Sequence, residues 1–392
     1  MARKLASIVT IATCDPIPDT DRLSVATMVG KGWKVVTGRD EYKPGDKAIY
    51  FEIDSYLPAD DSRYEFLKER CLRKFVSKSG QVLKEGIKIK TVKLRGVISQ
   101  GLLMPLSLFP EVTDDIIWVE SQGKDLFIVK NDEGEAVEEV DLDGVDVTSK
   151  LKVEHYDEIA EALRPATSGN PVAADAMGKF PSDFIPKTDE ERIQNLGDYF
   201  TSKKGVKFEV TEKNDGSSLT MFLSSTVDSE NPFGVCSRNL RLKPETEKGV
   251  PIPWQMAKKY DMENKLAQAN QKLSTELAFQ GELVGPGINC NRDMYTDFEW
   301  HVFRIWDIKN QLFLIPSVAR DVCADLDIPY VPVIDEHMDV FNKFSNVDEL
   351  LKFAEGKTAR GHEREGLVFK STWLPYVSFK VVSNKYLLKG ND

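Results

Sequence analysis

Along the first third of the chain, apolar residues fall at every second position in short runs broken by Pro and Gly. ASIVTI at 6–11, DPIPDTDRLSVATMV at 15–29, GWKVVTG at 32–38, YKPGDKAIYFEID at 42–54 and GIKIKTVKLRGVISQGLLMPL at 86–106 all show it. This is the pattern of strands with one buried face, and with few helical repeats between them it predicts a small β-barrel over residues 1 to about 110. Lys43-Pro44-Gly45-Asp46 has turn chemistry between two of these strands. From 111 to 160 the chain turns acidic around NDEGEAVEEVDLDGVDV, which predicts an exposed hairpin or extension. A segment rich in small residues and Pro, 166–191, reads as a linker. Beyond it, strand-like runs alternate with helical ones. WQMAKKYDMENKLAQANQKLSTEL at 254–277 has the spacing of an amphipathic helix. In TEKNDGSSLTMF at 211–222, Asn214-Asp215-Gly216 separates two alternating runs. That predicts a β-hairpin, with Gly216 supplying the positive φ of a tight turn.

Composition adds a frame. With 392 residues the chain exceeds what one core usually organises, so two domains are expected: residues 1–150, a linker over 151–188, and 189–392. Hydrophobic content of 41% and charged content of 29% are those of an ordinary globular protein. No apolar run reaches membrane-spanning length, and the amino terminus lacks a signal-peptide pattern, so no membrane association is expected. The 5 cysteines are scattered and the 4 histidines lack zinc spacing, which favours reduced thiols in a cytoplasmic setting and argues against a Cys/His metal site. A formal net charge of -11 argues against nonspecific polyanion binding. Within it, Arg63, Lys68, Arg70, Arg73, Lys74, Lys78, Lys84, Lys88 and Lys90 form a local basic excess, either a solvated face or a phosphate-contacting stripe.

Lys213 precedes the turn, and five further stretches follow it: CSRNLRLK at 236–243, FQGELVGPG at 279–287, HVFRIWDI at 301–308, EREGLVFK at 363–370 and SFKVVSNKY at 378–386. Each alone reads as structural. In this order they resemble the covalent nucleotidyltransferase superfamily of ATP-dependent ligases and capping enzymes. Lys213, Asp215 and Gly216 match its KxDG nucleophile motif, Glu282 the third motif, the Trp306 strand the motif called IIIa, Glu365 the fourth and Lys380 the fifth. The chemistry suits these types. A lysine nucleophile must lose its proton, helped by desolvation or a nearby cation. The phosphate gains charge under attack, which Lys380 and Mg²⁺ (or Mn²⁺) would stabilise. Mg²⁺ keeps much of its water, so Asp215, Glu282 and Glu365 would hold it directly or through that water. The resemblance implies that Trp306, or else Phe303, and Val368 sandwich the purine, with Lys370 on the face of Val368. It also implies that Arg238 contacts the ribose and that Glu212 contacts adenine.

Only 12 residues follow Lys380, whereas DNA ligases and capping enzymes place an OB domain there. Here the barrel comes first. The whole therefore resembles the branch of RNA ligases with an amino-terminal OB domain, counted as the fifth family. The implied fold is α+β: an OB-fold barrel followed by a nucleotidyltransferase domain of antiparallel sheets and helices. The implied activity is ATP-dependent RNA ligation by a monomer, joining 3′-hydroxyl and 5′-phosphate ends through lysyl-AMP, most plausibly in repair. TDEERIQNL at 188–196 also matches this branch; Arg192 there is either a contact to the leaving phosphates or an ordinary surface arginine. One departure stands out: where nick-sealing relatives often carry a second lysine in the fifth motif, this chain has Val382, with Lys385 farther along. A catalytically silent nucleic-acid binding module, a DNA ligase and a capping enzyme are the competing readings.

Overall fold

The computed structural model describes residues 3–120, 122–131, 133–168 and 176–389, and these fall into two compact units, one up to residue 168 and the other from residue 176.

In the first unit the alternating runs form an antiparallel five-stranded sheet in the order Leu102–Pro105, Lys47–Phe51, Ala6–Pro16, Leu23–Met28, Lys34–Gly38. Ile8, Ile49 and Phe51 of this sheet build one core with Leu57 and Ile87 of a separate four-stranded sheet and with Phe109. The acidic extension is a three-stranded antiparallel sheet, Ile116–Val119, Lys124–Lys130 and Ala136–Asp141. Phe127 anchors it to the same core while the outer strand is largely exposed. Much of the basic stretch is neutralised locally. Arg63 pairs with Asp61 at 2.6 Å and Glu111 at 2.7 Å, Lys74 pairs with Glu85 at 2.8 Å, Lys84 pairs with Glu154, and Lys88 lies 3.8 Å over the Tyr156 ring. A continuous bare stripe is therefore not what folds.

The expected linker is mostly built into the two units. Leu151 and Val153 are buried in the first core, and Tyr156–Ser168 is helical. Ala176–Lys179 is a strand of the second unit, and Phe180 and Ile185 are buried in it. Small residues and Pro misled here because the apolar residues between them carry the packing. Residues 169–175 of that linker lie outside the described residues.

The second unit has a seven-stranded and a four-stranded sheet. Its strands are β1 (Ala176–Lys179), β2 (Phe208–Lys213), β3 (Ser217–Leu223), β4 (Phe233–Cys236), β5 (Leu240–Leu242), β6 (Leu277–Val284), β7 (Glu299–Asp307), β8 (Leu312–Phe313), β9 (Val333–Met338), β10 (Gly366–Ser371) and β11 (Ser378–Val382). Its longer helices are α1 (Ile252–Lys259), α2 (Met262–Leu273), α3 (Pro316–Asp325) and α4 (Val347–Ala354), followed by the short α5 (Asn384–Lys389). The sheets run β1-β5-β4-β3-β6-β7-β8 and β9-β2-β10-β11. The single helix expected over 254–277 is two, because Asp261 takes a left-handed φ of 51° that turns the chain between α1 and α2.

Each sheet buries one face under helices. Leu219, Met221, Phe279, Val302 and Ile305 pack against Met256, Leu266 and Val322, while Phe208, Val210, Phe369 and Phe379 pack against Leu350 and Leu351. The alternate residues of both sheets are left for the site. Among the described residues no helix is long and apolar enough to cross a membrane.

Candidate active site

The expected hairpin does not form. β2 pairs with β9 and β10, whereas β3 pairs with β4 and β6. Asn214-Asp215-Gly216 thus carries the chain from one sheet to the other, and Lys213 sits at the crossing. Gly216 is needed for a different reason from the one expected. Its φ is not left-handed; instead a Cβ there would lie 2.4 Å from the Leu283 carbonyl oxygen and 2.7 Å from Glu282 Cγ. Only a residue without a side chain lets the turn press onto β6.

On β2, residues 209, 211 and 213 point away from the helix-covered core, and register extends that face across the sheet. Lys213, Gly366 and Val382 form one row; Thr211, Val368 and Lys380 the next; Glu209, Lys370 and Ser378 the third. From the other sheet, β6 contributes Glu282, whose carboxylate accepts from the Gly216 N–H. Lys213 Nζ is 2.7 Å from Glu365 Oε1. Burial acts to lower the Lys213 pKa, but Glu365, Glu282 and Asp215 outweigh it and hold the ammonium above its usual range. Burial pushes Glu282 up to about 7, with Glu365 and Asp215 adding to the rise and Lys213 opposing it. Glu365 is raised by burial in the same way. Three carboxylates around one ammonium leave the cluster short of positive charge, which suits a divalent cation. Among the described residues no three acidic, His or Cys side chains converge tightly enough to ligate one ion directly, so these carboxylates fit an ion held through its waters.

The raised Glu282 has a measurable cost. A carboxyl pushed up on folding is harder to ionise in the folded chain, so stability is lost as pH rises from about 4.5 through about 7. Glu282→Gln should therefore melt a few degrees above the wild type at pH 8, with the gain vanishing below about pH 4.5. Calorimetry of the ligand-free proteins across pH checks it; equal melting at pH 8 would refute it.

Lys380 is largely buried, and burial, Arg192 and Lys213 lower its pKa against the pull of Asp189. Its Nζ is 2.6 Å from Asp189 Oδ1, and Arg238 lies 3.8 Å from the other Asp189 oxygen. Arg192 is buried beside it, its backbone bridged to Lys380. The structure thus gathers Lys213, Asp215, Glu282, Glu365, Lys380, Arg192 and Arg238, and adds Asp189, which lies in the matched TDEER stretch without an assigned role.

Other expectations change. Trp306 is enclosed by Phe180, Ile185, Phe222 and Phe313, with its indole N–H donating to the Phe184 carbonyl at 2.8 Å; its ring is not open to a purine. A β-bulge between Gln280 and Gly281 shifts the count along β7 at Phe303, where Gly281 pairs with Val302 and Gln280 with Arg304. Phe303 instead lines a cavity with Arg304, Tyr330 and Lys370. Lys370 has no donor to spare for nucleotide: its Nζ reaches the Phe303 carbonyl at 2.8 Å, the Tyr330 hydroxyl at 3.0 Å and Glu209 at 3.1 Å. Glu212 is buried, and its carboxylate accepts from the Ala359 N–H near Arg364, which places it away from the face of Lys213. Val382 is buried in the row of Lys213, while Lys385 is exposed and pairs with Glu355 at 2.8 Å. No second lysine is thereby restored.

Two more polar groups flank the turn. Asn214 donates to His301 Nδ1 at 2.9 Å, so the ring proton lies on Nε2, 3.0 Å from Glu299; burial keeps this histidine below its usual pKa. Asn214 was read only as part of the turn and His301 only as the start of HVFRIWDI, so this contact was not visible in the sequence.

Comparison with known proteins accords with this geometry. Residues 5–106 match an OB-fold domain family and residues 206–386 the RNA ligase family. Among solved structures, a mutant RNA ligase of Naegleria gruberi with ATP and Mn is 31% identical with a TM-score of 0.78, covering 100% of both chains. The ligase of the same organism with PPi is 31% identical, TM-score 0.75, covering 98% of each chain. A mutant with AMP and Mn is 30% identical, TM-score 0.76, over 100% of both. No curated protein matches the chain.

Proposed function

Since the chain belongs to the RNA ligase family, with an OB-fold domain ahead of its catalytic domain, we propose that it joins RNA 3′-hydroxyl and 5′-phosphate ends in three steps, using ATP and a lysyl-AMP on Lys213. The observation that carries this reading is the meeting of Lys213 with Asp215, Glu282 and Glu365 where the chain crosses between sheets.

In the first step the Lys213 amine attacks the α-phosphorus of ATP; a P–N bond forms and the bond to pyrophosphate breaks. Glu365, 2.7 Å away with a raised pKa of its own, is placed to take the Lys213 proton. Asp215, Glu282 and Glu365 would hold Mg²⁺ or Mn²⁺ through water, and the bound ion would offset the carboxylates that otherwise keep Lys213 protonated. Lys380 meets the charge growing on the phosphate after exchanging Asp189 for it. Arg192 and Arg238 face the remaining phosphates and ribose, and the purine lies between Phe303 and Val368. In the second step an RNA 5′-phosphate oxygen displaces Lys213 from the AMP phosphorus. In the third the RNA 3′-hydroxyl attacks the 5′-phosphate and AMP leaves.

Sealing of a nicked duplex carrying a labelled 5′-phosphate, with either RNA or DNA on the 3′-hydroxyl side, tests the polynucleotide. We expect the RNA-terminated nick to be joined at least about tenfold faster, the discrimination a buried contact to one hydroxyl gives. Preference for the DNA-terminated nick would reassign the substrate, and nick affinity without pyrophosphate release would favour a binding module.

A further inference from the structure

Glu282 lies within β6 and Glu365 directly ahead of β10, but Asp215 stands on the crossing turn, where a short side chain has several rotamers open to it. Two segments that reach beyond the residues given site roles close on it. The first is the loop from Gly285 to Phe298 between β6 and β7, whose backbone is left-handed at Asn289, Asn291 and Met294, with φ of 45°, 42° and 52°. The Asn289 side-chain amide donates to Asp215 Oδ1 at 3.0 Å and to the Gly216 carbonyl at 2.5 Å. The second is α5, which brings the Tyr386 hydroxyl into a hydrogen bond with the Asp215 carboxylate. The two segments also grip each other: the Arg292 guanidinium lies 4.1 Å over the Tyr386 ring and donates to the Tyr386 carbonyl at 3.4 Å. Each is tied down separately, the loop by Asn291, which bonds Tyr295 twice at 3.0 Å, and α5 by Lys385 on Glu355 at 2.8 Å.

We propose that Asn289 and Tyr386 are positioning residues for Asp215, fixing its carboxylate so that its remaining lone pairs are presented to the waters of a divalent ion. The inference rests on the ligase reading for the role of Asp215. It gives the loop and the end of the chain a part in metal recognition that does not require either to touch nucleotide or RNA. Arg292 acts one step farther out, holding the Tyr386 ring.

The test uses full-length wild type, Tyr386→Phe, which removes only the hydroxyl, and Asn289→Gly, which keeps the left-handed backbone without strain. Mn²⁺ binding to each protein with a non-hydrolysable ATP analogue is measured by counting free Mn²⁺ by electron paramagnetic resonance. Adenylation of Lys213 is followed by intact mass at increasing Mg²⁺. Each variant should bind Mn²⁺ about tenfold more weakly, the size of effect that outer contacts to metal-holding groups have. Each should need about as much more Mg²⁺ for half-maximal adenylation, with the loss made up at high Mg²⁺ and melting temperature within a few degrees of wild type. Unchanged Mn²⁺ affinity and unchanged Mg²⁺ dependence in Tyr386→Phe would overturn the proposal and leave these contacts as braces of the fold, whether or not Asn289→Gly folds. Absence of adenylate on the wild type itself would instead sink the ligase reading.

Discussion

Lys213→Ala protein incubated with ATP and Mg²⁺ should show no AMP adduct by intact mass, under conditions where the wild type is adenylated. Adenylation and sealing of RNA with a plain 5′-phosphate should both fall by at least about 10⁴-fold, because removal of a covalent nucleophile leaves only binding and electrostatics. Lys213 is also the ammonium set directly against Glu282, Glu365 and Asp215, so its loss leaves those carboxylates facing each other. The variant should therefore bind Mn²⁺ at least as well as wild type while forming no adduct. A persisting adduct would place the nucleophile elsewhere. Its absence from wild type, even after pyrophosphate treatment to strip AMP acquired during expression, would return Lys213 to a structural role.

Lys380→Ala should slow Lys213 adenylation in single-turnover mass measurements by about 10²–10³-fold, the cost of removing one preorganised donor from a developing oxyanion. The register places Lys380 one row from Lys213 and two strands over on the same face, about 7 Å away along the strands and about 10 Å across them at the backbone. That spacing leaves room for one phosphate between the two ammonium groups. Lys380 is pre-paired with Asp189 at 2.6 Å, so the site holds a cation ready without leaving its charge unpaired when ATP is absent. Lys380→Arg should not restore the rate, because a planar guanidinium in this enclosed position has a different reach and donor geometry. An undiminished rate in Lys380→Ala would remove Lys380 from the reaction.

The barrel was legible because alternation survives strictly in Leu23–Met28 and Lys34–Gly38 and Pro and Gly punctuate the other apolar runs. The ordered motifs were legible because covalent chemistry demands a lysine and carboxylates of fixed kind. What escaped was long-range pairing. Asn-Asp-Gly has the same local chemistry whether its flanking strands pair or part, so the crossing between sheets was not visible in TEKNDGSSLTMF. Trp306 was carried over from the resemblance, and only the fold shows that Phe180, Ile185, Phe222 and Phe313 enclose its ring. Lys370 looked available because Glu209 and Tyr330, which take up its donors, lie far away in sequence. Asn289 lies outside every matched stretch, and Tyr386 closes SFKVVSNKY without a role assigned to it; only the folded loop and α5 bring them to Asp215.

The crossing turn also limits how this catalytic unit can move. Lys213 and Ser217 belong to different sheets and are joined only through residues 214–216, a tether that even fully extended spans roughly 14 Å. Like the spine of a book, it fixes the gap between the sheets at the nucleophile and leaves opening to the far edge. In the proposed reaction the phosphate carried by Lys213 would then stay at the spine, however wide the far edges part.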